Sequence, residues 1–119
     1  MIAQYESGQV EARFQDDDNR FAIDTPDVDI IRTLDADETY RWVFVSADTR
    51  ITKRPAERAV LVATKIKFFY CAKAWFKMST HEQAWKFLRV WPQIVEMAEH
   101  YKGKVFEIEG ANLKVTPVG

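Results

Sequence analysis

The residues best placed to do chemistry in this chain stand close together. Asp48 follows the apolar run Arg41-Trp-Val-Phe-Val-Ser46, and Arg50, Lys53, Arg54 and Arg58 come after it. The run is β-branched and aromatic, has the length of a buried strand, and contains no Pro or Gly. In open α/β sheets ligands bind outside the carboxyl ends of the strands, and a strand ending at Ser46 delivers this carboxylate and these cations there. Pro55 then suits a first helical position, with Ala56, Ala59, Val60 and Ala63 on one face. Cations beside a helix start are disfavoured by about 0.3–1 kcal/mol at the surface. A bound phosphate would reverse that penalty. The penalty is small, and long side chains pointing into water account for Lys53 and Arg54 more simply.

The net charge of −1 conceals an asymmetry. Residues 16–38 hold nine acids and two bases, whereas residues 41–77 hold nine bases and two acids. Such a pairing of blocks suits a metal-and-phosphate site, self-association, or two solvated faces. Asp16, Asp17 and Asp18 are adjacent carboxylates in a polar stretch, an arrangement more often solvated than metal-bound. Asp27 and Asp29 follow Thr25-Pro26 and read as ordinary first-turn acids that complement a helix dipole.

The elements that must position these residues can be read in order. Gln9 to Phe14 alternates as a short strand. Thr25 caps a helix with Val28, Ile31 and Leu34 on its apolar stripe and Ile30 beside it, ending near Ala36 to Glu38. The strand Arg41–Ser46, the helix from Pro55 to about Thr64 and a strand Lys65–Cys71 make a right-handed parallel βαβ unit. Ala72 to Ser79 reads as a linker, with room for a turn of helix at Ala74-Trp75-Phe76. Thr80-His-Glu-Gln83 reads as a capping box for an amphipathic helix to about Tyr101, kinked or broken near Trp91 because Pro92 cannot donate to Leu88. Lys104–Glu109 and Asn112–Thr116 form a terminal hairpin. The 119 residues suit one domain, 1–119, and 47% hydrophobic content suits a folded core. No apolar run spans a membrane and no secretory leader is visible. The single Cys71, inside an apolar run, reads as a buried inert thiol. A cytosolic chain is expected.

Several segments in order then carry a resemblance: Thr25-Pro-Asp-Val-Asp-Ile-Ile31; Trp42-Val-Phe-Val-Ser-Ala-Asp48-Thr-Arg-Ile-Thr-Lys-Arg-Pro-Ala-Glu-Arg58; Glu82-Gln-Ala-Trp85; and Trp91-Pro-Gln-Ile94. They resemble the PIN-like family related to VapC-type toxins, over roughly Thr25 to Ile108. The resemblance implies an α/β, three-layer sandwich with a mainly parallel sheet. It implies a metal-dependent endoribonuclease, a toxin of a toxin–antitoxin pair, with RNA as substrate and an antitoxin protein as partner. Asp27 and Asp48 would be catalytic and would ligate Mg²⁺ or Mn²⁺, and Arg50, Lys53, Arg54 and Arg58 would grip phosphates. The alternative is a catalytically deficient relative that binds RNA or protein. Two features depart from the family. Ser46-Ala47-Asp48 stands where Ser-Gly-Asp is usual. The family's opening strand, which ends in an Asp, is not read here. Without it, the strand Arg41–Ser46 lacks a neighbour, and its unpaired groups would template pairing with another chain. A homodimer or partner-completed complex is therefore expected, with residues 1–14 near the contact, unless Val10 to Phe14 fills the place.

Overall fold

The computed structural model describes residues 2–6, 9–13, 20, 25–38, 41–47 and 49–118, with only the backbone of 2–6 and 9–13. The strand expected from its aromatic and β-branched content is β3, Arg41–Ser46, and it lies inside a six-stranded sheet. The other strands are β1 (Ile2–Glu6), β2 (Gln9–Arg13), β4 (Lys67–Cys71), β5 (Val105–Ile108) and β6 (Val115–Pro117), in the order β2-β1-β3-β4-β5-β6. From β3 to β6, the strands β3, β4 and β5 run parallel and β6 pairs antiparallel with β5. The expected mainly parallel sheet with a C-terminal hairpin is therefore present. An antiparallel β1–β2 hairpin extends it on the far side of β3.

That hairpin corrects one expectation. The place beside β3 is not vacant: β1 occupies it, with Ile2 opposite Phe44 and Tyr5 opposite Arg41. The strand Gln9–Arg13 does not fill it but lies one position further out, paired to β1. With both edges of β3 hydrogen-bonded, the unpaired-edge argument for self-association does not apply to it.

Alternation along the strands sends successive side chains to opposite faces, and each face has its own core. On one face Trp42, Phe44, Phe68 and Val105 pack against Ile30, Ile31 and Leu34 of α1 (Asp27–Ala36), Ile51 of α2 (Arg50–Lys53) and Leu61 of α3 (Pro55–Ala63). On the other, Val43, Val45, Phe69, Phe106 and Ile108 pack against Val90, Ile94 and Ala98 of α4 (Thr80–His100). The result is the expected three-layer sandwich. The β3–β4 and β4–β5 crossovers step the same way across the sheet while passing over opposite faces, so they have opposite hands; the usual preference is for the right hand.

Local signals were read correctly in kind and shifted in register. Helix α1 begins at Asp27, with Pro26 in the cap position; its carbonyl accepts from the N–H groups of Asp29 and Ile30. The cap position thus falls one residue beyond the expected Thr25. The cap of α4 is Ser79, whose Oγ accepts from Glu82 N at 3.1 Å, rather than Thr80. Gln83 instead donates to the carbonyl of Trp75 at 2.8 Å. Helix α4 continues through Pro92 without a break. Gln93 pins the β5–β6 connection: it donates to Leu113 O at 2.8 Å and accepts from Val115 N at 3.0 Å. The turn of helix allowed within the linker is present as a 3-10 turn over Lys73–Lys77, held to β5 by Trp75 Nε1, which donates to Ile108 O at 2.9 Å.

Candidate functional site

The carboxyl ends of β3, β4 and β5 lie side by side, and the elements that follow them carry the candidate residues. After β3 come the expected Asp48, then α2 and the start of α3; after β4 comes the 3-10 turn. Asp48 lies outside the described residues, as do Asp16, Asp17 and Asp18.

Asp27 reaches the same end of the sheet through the direction of α1. The last turn of that helix is tied to the amino ends of the strands. Asp35 Oδ1 accepts from Lys65 N at 2.9 Å, and Asp37 Oδ2 accepts from Trp42 Nε1 at 2.9 Å. Helix α1 therefore runs antiparallel to β3, and Asp27, nine residues back at about 1.5 Å per residue, stands toward the carboxyl ends. Its neighbour Val28 packs in the same cluster as Tyr70, the second-last residue of β4. The side chain of Asp27 is half-buried. Asp35 and Asp37 thus hold α1 in place, which is a structural use of the acidic block.

The basic block is divided by the fold. Arg41, Lys65 and Lys67 go to the amino edge of the sheet. Arg50, Lys53, Arg54, Lys73 and Lys77 go to the elements after the carboxyl ends, and all five are exposed. Arg54 pairs with Glu57 at 3.1 Å. Glu57 sits in the first turn of α3, where a negative charge complements the dipole. The charge conflict noted at this helix start is met within the chain, without an external anion. Arg58 is half-buried and its Nη1 donates to Thr52 O at 3.5 Å, bracing α3 against α2.

Two groups of residues at this end were not singled out from the sequence. The first is a polar row. Ser46, Tyr70, Glu107 and Thr116 are register partners across β3, β4, β5 and β6. They share the face of Phe44 and Phe68, two residues back in β3 and β4, so the apolar core ends in a polar rung at the carboxyl side. Tyr70 OH donates to Glu107 Oε2 at 3.0 Å. Burial, and then this bond and the negative charge of Glu107, push the Tyr70 phenol up from its ordinary value. The signal was available: in Val105-Phe-Glu-Ile108 the alternation gives Glu107 the phase of a core position. The second group is Lys73, Phe76 and Lys77. Phe76 is 61% exposed between two exposed lysines, an aromatic face among cations.

Among the described residues, no three His, Cys, Asp or Glu side chains form a group that could hold a metal ion. The described donors therefore do not by themselves fit a divalent cation, and Asp27 needs partners beyond them. Cys71 is half-buried and burial pushes its thiol up, as an inert thiol requires. His81 is exposed. Among the described residues no helix is long and apolar enough to cross a membrane.

A family model described as a PIN like domain matches residues 8–73, more than half of the chain. The match takes in α1, β3, α2, α3 and β4, and so every residue proposed above for the site from Asp27 to Arg58. Neither the comparison with curated proteins nor that with solved structures gives a match.

Proposed function

We propose, because this chain belongs to the PIN-like domain family, that it is a metal-dependent endoribonuclease acting at the carboxyl ends of β3 and β4. The observation that carries this reading is the family match over one segment that holds Asp27, Asp48 and the cations between Arg50 and Arg58. Asp27 and Asp48 are the residues that would hold Mg²⁺ or Mn²⁺, and the ion, when bound, supplies Lewis-acid activation of water. Exposed Arg50, Lys53 and Arg54 offer charge to the phosphates of a single strand, with Arg58 behind them. Phe76, between Lys73 and Lys77 on the neighbouring turn, offers a ring on which a base can stack. A role as the toxin of a VapC-type pair, with an antitoxin as partner, belongs to the same proposal. So does a homodimer, with the outer strand β2 as the contact, since β2 is paired on one edge only among the described residues.

Cleavage of single-stranded RNA in Mn²⁺ tests the reading. Asp48→Asn and Asp27→Asn are each expected to lower the rate by about a hundredfold or more, the scale of one electrostatic group in a catalytic site, with circular dichroism unchanged. Cleavage that survives both substitutions and chelation sinks the assignment of these residues. The second reading, an RNA-binding relative without catalysis, takes its support from the lack of a metal-holding group among the described residues. Salt-sensitive RNA binding without cleavage by the unaltered chain would favour it.

A further inference from the structure

The polar rung that closes the core at the carboxyl side of the sheet holds a pair of open acceptors. The Tyr70 ring is fixed from beneath. It lies against Phe68, with ring centroids 6.5 Å apart, and Phe68 stacks on Phe44 at 5.7 Å. Its hydroxyl donates to Glu107 Oε2 at 3.0 Å. Burial and then Glu107 keep the phenol protonated, so its one O–H stays committed to that bond. What the pair leaves over is all of one kind. The phenol oxygen keeps acceptor lone pairs, and Glu107 Oε1 has no hydrogen-bond partner among the described residues. Both side chains are only half-buried, so these acceptors are reachable from solvent.

Their place is that of the proposed site. Tyr70 packs in one cluster with Val28, the neighbour of Asp27. Ser46, Tyr70 and Glu107 are register partners on successive strands about 4.8 Å apart, which puts the pair within roughly 10 Å of the end of β3 that leads to Asp48. One carboxylate and one neutral phenol do not make a cation site, and the charge of Glu107 turns phosphates away. The pair suits a neutral hydrogen-bond donor.

We infer that Tyr70 and Glu107 together accept a hydrogen bond from one nucleotide of a bound single strand, from its ribose 2′-hydroxyl or its base amino group, and so set which strands the chain prefers. This rests on the RNA reading above and adds selectivity to it, since contacts to phosphates carry no identity of sugar or base.

The test is equilibrium binding by the full chain, in chelator, of four short single strands: oligouridine and oligocytidine, each with ribose and with deoxyribose. A preference for both ribose strands assigns the donor to the 2′-hydroxyl. A preference for both cytosine strands assigns it to the amino group that uracil lacks. Either is expected to be about tenfold, the scale of one bond to a charged acceptor. Glu107→Gln turns an amide donor toward the strand and is expected to abolish the preference, even as loss of a negative charge tightens all four strands. A purely structural residue would change the four alike. Tyr70→Phe is expected to reduce the preference. Equal binding of the four strands by the unaltered chain, or a preference unchanged in either variant, overturns the inference and, with no metal present, leaves the nuclease reading standing. A chain that binds none of the four overturns both.

Discussion

Tyr70 and Glu107 meet because register, not sequence distance, sets neighbours in a sheet. They are 37 residues apart and lie opposite one another in β4 and β5. The raised phenol pKa makes their contact visible in stability. An unfolded tyrosine ionises around its ordinary value of 10.0, while the folded one keeps its proton to higher pH. Between those two pH values the folded state binds more protons, so stability falls as pH rises through that window and is fully present below it. Urea unfolding at neutral pH and again just above pH 10 is expected to show a larger loss for the unaltered chain than for Tyr70→Phe. Equal losses would mean that burial and Glu107 do not raise the phenol's pKa in the folded chain.

At the scale of elements, caps and turns decide where α4 begins and what it carries. Ser79 satisfies one of the free N–H groups of the first turn. Its replacement by Ala is expected to cost about 1 kcal/mol in urea-induced unfolding, whereas Thr80→Ala, one position inside the helix, is expected to cost less. The reverse order would return the cap to Thr80. The same helix start supports the 3-10 turn through the bond from Gln83 to Trp75 O. Gly110 lies under that turn: a Cβ there would come within 2.6 Å of Met78 Cε and 3.3 Å of Trp75 Cδ1. Exposed Lys73, Phe76 and Lys77 are thus carried on an anchored element.

For the whole molecule, the sheet gives each edge a different use. Among the described residues, the carboxyl edge carries Asp27 and the exposed Arg50, Lys53 and Arg54, the amino edge Arg41, Lys65 and Lys67, and β2 and β6 close the two sides. The expected homodimer now rests on β2 and not on β3. Sedimentation equilibrium at micromolar concentration is expected to give a dimer that a chain lacking residues 1–13 cannot form in the same way. A monomer at all concentrations for the intact chain would dispose of the β2 contact.

Much of this was legible in the amino-acid order because it is local. The strand Arg41–Ser46, the apolar stripe of α1, the Pro55 helix start and the amphipathic α4 follow from side-chain period and cap chemistry, which act over a few residues. The family-like order of motifs from Thr25 to Arg58 was legible for the same reason. Pairing was not. Residues Ile2–Glu6 carry no strong strand signal of their own, and the edge of β3 recruits them by offering unpaired N–H and C=O groups that only tertiary structure brings near. The run of bases from Arg41 to Lys77 looked like one patch, yet βαβ connection sends it to opposite edges, because a strand and its return helix travel in opposite directions. Glu107 acquires its neighbours only when β5 lies parallel to β4. The types of the chemical groups were settled by the sequence, and which of them share an edge was decided by the crossovers of the sheet.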